Sequence, residues 1–130
     1  MTFSLTTNIT LLDKEKVDFF KAIDCSPMLS IDGAPETQDF QRPCKNPNLK
    51  TSELIEKNIP YILSQFPFVL FRSTIYQPTI NKMFENYLYA ESLGFKAINF
   101  TPDTRARDWT NKEYNQIKEQ LYKIFAYRLY

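Results

Sequence analysis

The spacing of apolar residues switches between two periods along the chain. Residues 2 to 7, "TFSLTT", alternate and are rich in β-formers, which predicts a strand. "LLDKEKVDFFKAID" follows, with Asp13 as a helix N-cap and Val17, Phe20 and Ile23 at helical spacing. "PMLSID", residues 27 to 32, predicts a second strand, and the polar, proline-bounded stretch after it predicts a loop carrying Asp39 and Arg42. "TSELIEKNIPYILSQF" then puts Ile55, Ile59, Ile62 and Phe66 on one helical face, with a kink expected at Pro60. A third strand is predicted over residues 68 to 75 and a third helix over residues 79 to 94, ended by Gly94 in a left-handed position. A fourth strand, residues 96 to 101, and a last helix opened by the capping box of Thr110 and Glu113 complete the order. That helix sets Tyr114, Ile117, Leu121, Ile124 and Phe125 on one face.

Strand and helix alternate four times, the order of a parallel α/β sheet. Such a sheet is either a small doubly wound layer or half of an eightfold barrel, and the parity of side chains along each strand chooses between them. Ser4, Thr6 and Asn8 oppose Phe3 and Leu5; Met28, Ser30 and Asp32 oppose Leu29 and Ile31. Leu70, Arg72 and Thr74 oppose Val69 and Phe71; Ala97, Asn99 and Thr101 oppose Ile98 and Phe100. A doubly wound sheet is covered on both faces and needs both apolar. One greasy face and one that turns polar towards the strand ends fits a partial (β/α) barrel of about four units, helices outside and an open lumen. Asn8, Ser30, Asp32 and Arg72 must then be solvated, paired or in contact with a ligand, because burying them bare is costly.

Composition removes other classes. No histidine is present, which excludes Ser-His-Asp and Cys-His chemistry and any His-bound metal within the chain. Two glycines allow neither a phosphate-cradling Walker loop nor GxGxxG, and a phosphate-binding barrel is disfavoured. A carboxylate-based catalyst would draw on Asp32, Glu36, Asp39 or Asp103, although loop carboxylates are more often solvated structure. Cys25 and Cys44 read as reduced thiols, neither metal ligands nor a disulfide. With net charge +1 and scattered cations, neither nucleic acid nor a membrane surface is expected as a partner, and no apolar run is long enough to span a bilayer. A cytoplasmic chain is the expectation. "TRARD", residues 104 to 108, reads as a charged surface loop or a substrate-facing lid.

The segments "FSLTTNITLLDKEKVDFF", "LSIDGAPETQDFQRP" and "FRSTIYQPTINKMFENYLYAESLGFKAINFTPD" resemble successive strand-and-loop units of radical S-adenosylmethionine enzymes. The likeness is to the subgroup with a SPASM-type extension, which matures sulfatases and peptides. It implies that residues 1–130 form the third to sixth βα units of a partial barrel. It implies a cofactor site for S-adenosylmethionine: Asn8 at the "TTN" rim, Ser30 with Asp32 of "SIDG" on the ribose or methionine part, Arg42 over the site, Arg72 pairing with the cofactor carboxylate, and Asn99 with the backbone about Phe100 beside the adenine. It assigns no catalytic residue and no metal ligand here.

The chain departs from the family pattern. The CxxxCxxC motif that holds the [4Fe-4S] cluster is missing, as is the Gly-Gly-Glu-Pro segment. Ile9 stands where glycine is usual, so that turn is expected to take another backbone shape, and Gln38 replaces a frequent histidine. The cluster, and with it the 5′-deoxyadenosyl radical that matures a peptide or protein substrate, would come from a missing N-terminal segment or partner chain. The expected partners are therefore that substrate and the missing barrel half, which would pair with the exposed sheet edges. The alternative is a non-catalytic, degenerate barrel module that binds a peptide or partner subunit.

Overall fold

The structure is a computed structural model that describes residues 1–105 and 109–130. The charged segment "TRARD", read as a surface loop or a lid, therefore lies partly outside the described residues. Strands β1 (Phe3–Thr7), β2 (Cys25–Ser30), β3 (Leu70–Ile75) and β4 (Ala97–Pro102) form one parallel sheet in the order β1-β2-β3-β4. Helix α1 (Lys14–Ala22) connects the first two strands. Helices α2 (Pro35–Gln41), α3 (Thr51–Glu56) and α4 (Ile59–Gln65) connect β2 to β3. A 3₁₀ segment (Gln77–Lys82) and α5 (Met83–Ser92) precede β4, and α6 (Asn111–Leu129) follows it. The result is a half-barrel of βα units.

The helices cover one face of the sheet only. Under β1, β2 and β3 the core holds Ile9, Val17, Leu29, Ile59, Ile62 and Phe71; under β3 and β4 it holds Ile75, Ile80, Met83 and Ile124. Each such side chain contributes roughly 1.5–3 kcal/mol by leaving water, so the helical face carries the fold. On the other face Ser4, Thr6, Ser26, Arg72, Asn99 and Thr101 are exposed. The expected parity is present on β2, β3 and β4; on β1, Phe3 is exposed at the sheet edge.

Several local expectations are corrected. The stretch after β2 is not a loop: Pro35 and Glu36 open α2, where a missing backbone donor and an acid suit the first helical turn. Residues 51 to 66 form two helices rather than one kinked helix, and Pro60 sits in the first turn of α4, where it breaks no helical hydrogen bond. On α6, Tyr114 and Phe125 are exposed, and the buried positions are Gln120 and Ile124. Ile9 does not avoid the shape that glycine favours: it adopts φ 71°. Left-handed backbone costs an L-residue roughly 1–2 kcal/mol, and full burial of the Ile9 side chain offsets that by about 1.5–3 kcal/mol. Its carbonyl is also held, by the Leu12 N–H at 2.8 Å and the Asn58 Nδ2 at 3.2 Å.

Two helix starts and one stop follow their sequence signals. Gly94 ends α5 with φ 99°, and Thr110 and Glu113 form the capping box of α6. Asp13 caps α1 by accepting the Lys16 N–H at 3.0 Å. The Lys16 side chain and that N–H hold the Asp13 carboxyl below the ordinary carboxylate range. Stability from a lowered carboxyl pKa is present above the unfolded value and lost as pH falls through the folded one. Asp13→Ala should therefore lower the melting temperature at neutral pH, and the difference from wild type should shrink to nothing in strong acid, measured by thermal circular dichroism.

Candidate functional site

Strand register aligns three polar side chains on the uncovered face. Ser30 pairs with Arg72, and Arg72 pairs with Asn99, so the three stand in one row across β2, β3 and β4. Parallel partners share a face, which makes the row a consequence of the pairing and not of side-chain choice. Arg72 is exposed and makes no ion pair or side-chain hydrogen bond among the described residues. A guanidinium with five donors is left free in the middle of a sheet face. Asn8 follows the last paired residue of β1, Thr7, and is exposed, its Oδ1 accepting the Thr10 hydroxyl at 3.0 Å. Phe100 is turned away: its ring packs with the cluster of Ile75, Met83 and Ile124 on the helical face. Only its backbone is available to the row.

Asp32 and Arg42 join each other. Arg42 Nε donates to Asp32 Oδ2 at 2.7 Å and Nη2 to Oδ1 at 3.2 Å, a two-pronged pair with Asp32 3% exposed and Arg42 36% exposed. Oδ1 also accepts the Thr74 N–H at 3.1 Å, and the Asp32 carbonyl accepts the Ser73 hydroxyl at 2.7 Å. Both carboxylate oxygens are thus engaged, and Asp32 ties the end of β2 to β3 and α2. Behind it, buried Gln38 accepts the Asp32 N–H at 2.8 Å through Oε1, while its Nε2 has no partner.

Gly33 owes its place to a neighbour and not to its backbone angles. A Cβ there would stand 2.2 Å from Cγ and Oδ1 of Asn86, a buried residue of α5 whose Oδ1 accepts the Ala34 N–H at 3.0 Å. Asn86 thus accepts the N–H of the N-cap residue of α2, the donor that a Glu or Gln at the third helical position takes in a capping box. Of the carboxylates considered as acids or bases, Asp39 is spent capping α3: its oxygens accept the N–H and hydroxyl of Ser52, both at 2.8 Å. Glu36 is exposed beside Lys82, and Asp103, lowered by the Arg105 N–H, pairs with the Arg105 side chain.

A cleft of about 380 Å³ opens at the carboxyl ends of β2, β3 and β4. The Asp32–Arg42 pair, Asp103 with Arg105, and the rings of Phe40 and Tyr76 line it. Thr74, in the cleft, lies two residues beyond Arg72 and so shares its face, about 6.6 Å further along β3. Phe40 and Tyr76 were not apparent from the sequence. The opening of α2 by Pro35 and Glu36 was the available signal, since a helix there presents Phe40 at the rim. Among the described residues no group of three or more His, Cys, Asp or Glu converges as a metal site, and no helix is long and apolar enough to cross a membrane. Cys25 is buried and Cys44 half-buried, both free thiols.

No protein-family model matches the chain, and no curated protein matches it. Solved structures do. The chain is similar to native anSMEcpe with bound AdoMet, with a TM-score of 0.81 and 20% identity over 95% of this chain and 36% of that one. It is likewise similar to native anSMEcpe with bound AdoMet and Kp18Cys peptide, with a TM-score of 0.80, 20% identity and the same shares. A histidine-tagged form of anSMEcpe with bound AdoMet gives 0.79 and 21% identity over 93% and 34%. The chain thus spans about a third of the length of these structures, and at this identity the likeness is one of fold.

Proposed function

We propose that the chain is part of a radical S-adenosylmethionine enzyme and that its sheet binds S-adenosylmethionine along the Ser30–Arg72–Asn99 row. The observation that carries this reading is the unpaired Arg72 guanidinium on the open face, flanked in register by a hydroxyl and an amide. The amino-acid end of the cofactor offers a carboxylate, which a guanidinium binds through two parallel hydrogen bonds. Ser30 is placed to meet a ribose or methionine oxygen, and Asn99 with the backbone at Phe100 to meet the edge of the base. Asn8 adds an amide at the β1 end of the row. Arg42, held by Asp32, forms the wall above. The fold neighbours, radical SAM maturases of the anSMEcpe type, carry the same cofactor, which supports the reading.

Together with a reduced [4Fe-4S] cluster, S-adenosylmethionine supplies a carbon-centred radical for hydrogen abstraction from a peptide. The two cysteines of this chain do not fit a cluster that needs three. What these residues do is bind and orient the cofactor. A second reading, a non-catalytic module that binds a partner subunit, is favoured by Tyr122, Phe125 and Leu129, which stand exposed on α6.

Calorimetry separates the two. The first reading expects one S-adenosylmethionine per chain, weakened at least about tenfold by Arg72→Ala, the order of one charge-assisted pair. 5′-Methylthioadenosine, which lacks the carboxylate, should bind wild type and variant alike. Absence of binding by the intact chain, or equal losses for both ligands, would contradict the assignment of Arg72.

A further inference from the structure

We propose that a second copy of this chain closes the half-barrel: β1 of each copy pairs with β4 of the other, and the open flank of α1 packs on the open flank of α6. The inference rests on the half-barrel fold alone and not on the cofactor reading.

Both edges of the sheet are open. β1 and β4 end the strand order, so each presents a row of backbone N–H and C=O groups without a strand partner. The helices beside them are each bare on one flank. On α1, Lys14, Asp18 and Lys21 reach Tyr61 and Gln65 of α4. Lys16, Phe19 and Phe20 line a groove of about 440 Å³ on the other flank, where Phe19 is 57% exposed and Ile23 stands one turn further on. On α6, Gln120 and Tyr127 meet Phe84 and Glu91 of α5. Tyr122, Phe125 and Leu129, spaced by three and four residues, are exposed on the far flank. α4 belongs to the unit that follows α1, and α5 to the unit that precedes α6. The bare flank of α1 therefore looks backwards round the barrel and that of α6 forwards, as neighbours in a ring do.

Side-chain parity agrees. Phe3 and Leu5 stand in register with Cys25 and Pro27 on the helical face of β1, and Phe3 is 49% exposed. Ile98 and Phe100 occupy the same face of β4. A cleft of about 430 Å³ lies at the amino end of β4, walled by Tyr87, Phe95, Ile98 and Arg128. Phe3, at the amino end of the copy's β1, matches that cleft in level and in face. The same parity brings the copy's Ser4 and Thr6 onto the open face beside β4, the face that carries Asn99.

Eight βα units close a circle, so each turns the chain by about 45° and four by about 180°. One twofold rotation then seals both edges, and head-to-tail contacts that close make a ring and not a filament. Phe3, Phe19, Ile23, Tyr122, Phe125 and Leu129 offer roughly 700 Å² at one junction and about 1,400 Å² over two, in the range of about 1,200–2,000 Å² that stable pairs bury. A copy brings both missing flanks at once, which favours it over a segment that covers one edge.

Light scattering on the whole chain after gel filtration reads the outcome. A mass of about twice 15.4 kDa is expected, with no growth into larger species as concentration rises. Phe19→Glu on α1 and Phe125→Glu on α6 should each raise the dissociation constant of the dimer at least about a hundredfold, because each change falls on both junctions. Mixed, the two variants should form a dimer at concentrations where neither does alone, since one junction then joins two unaltered flanks. Both residues are exposed, so the circular dichroism spectra of the variants should match the wild type. A monomeric wild type overturns the proposal, as does an open series of oligomers. Loss of the dimer through Phe125→Glu but not Phe19→Glu would mean that two α6 faces pair with each other, and overturns it too. S-adenosylmethionine bound by a strictly monomeric chain removes this inference and leaves the cofactor row standing; a dimer that binds no cofactor does the reverse.

Discussion

Replacing Gly33 by alanine should destabilise the chain by about 1–3 kcal/mol, seen as a lower urea midpoint with an unchanged slope. The new methyl would stand 2.2 Å from the Asn86 side chain, closer than any two such atoms can approach. Overpacking of a core costs about 1–3 kcal/mol. If Asn86 retreats instead, the Ala34 N–H loses its acceptor, with a penalty of about 1–3 kcal/mol for an orphaned donor. Against a typical total of about 5–15 kcal/mol either route is large. The pair should also be strongly coupled. Asn86→Ala vacates the space that the methyl needs, so the double variant should be much less destabilised than the sum of the singles. Additive losses would show that Gly33 is required for some other reason.

Asp32→Ala should cost about 2–4 kcal/mol, also by urea unfolding, and Arg72→Ala less than about 0.5 kcal/mol. Losing the carboxylate strips the Thr74 N–H of its acceptor and frees the Arg42 fork. Breaking a fully buried ion pair costs about 3–5 kcal/mol, and the lower figure here reflects an Arg42 that is partly hydrated already. Asp32→Asn should fall between, keeping an oxygen for Thr74 but no net charge for the guanidinium. Arg72 makes no such contacts, and its free side chain should matter to a ligand and not to the fold. A stable Asp32→Ala variant would mean that its carboxylate is not the joint between β2, α2 and β3.

What the sequence disclosed, and where it fell short, divides along physical lines. Strand order and parity were legible because alternation is a local property, and Ser30, Arg72 and Asn99 reach the same row once parallel register is imposed. Helix α2 was hidden because its polar residues carry a weak helical pattern, and with it were hidden Phe40 and the turn that returns Arg42 to Asp32. Asp-Gly reads locally as a turn, whereas the need for Gly33 comes from Asn86 on a distant helix. Ile9 was misjudged for a related reason: left-handed backbone looks forbidden to a β-branched residue until core burial is weighed against it.

The resemblance and the fold agree on architecture. The half-barrel carries a polar row on its open face. Its two cysteines lie apart in sequence and burial, and neither belongs to a ligand set among the described residues. Under the proposed reading, radical chemistry would need a cluster that these two cysteines do not hold.

The direct test of the cofactor row is an amide ¹H–¹⁵N titration of the labelled chain with S-adenosylmethionine. The account predicts that the amides of Ser30, Arg72 and Asn99 shift together and saturably, while those of Gly94 and Phe95, on the helical side, stay fixed. Shifts confined to the helical side, or none at all at saturating cofactor, would contradict it.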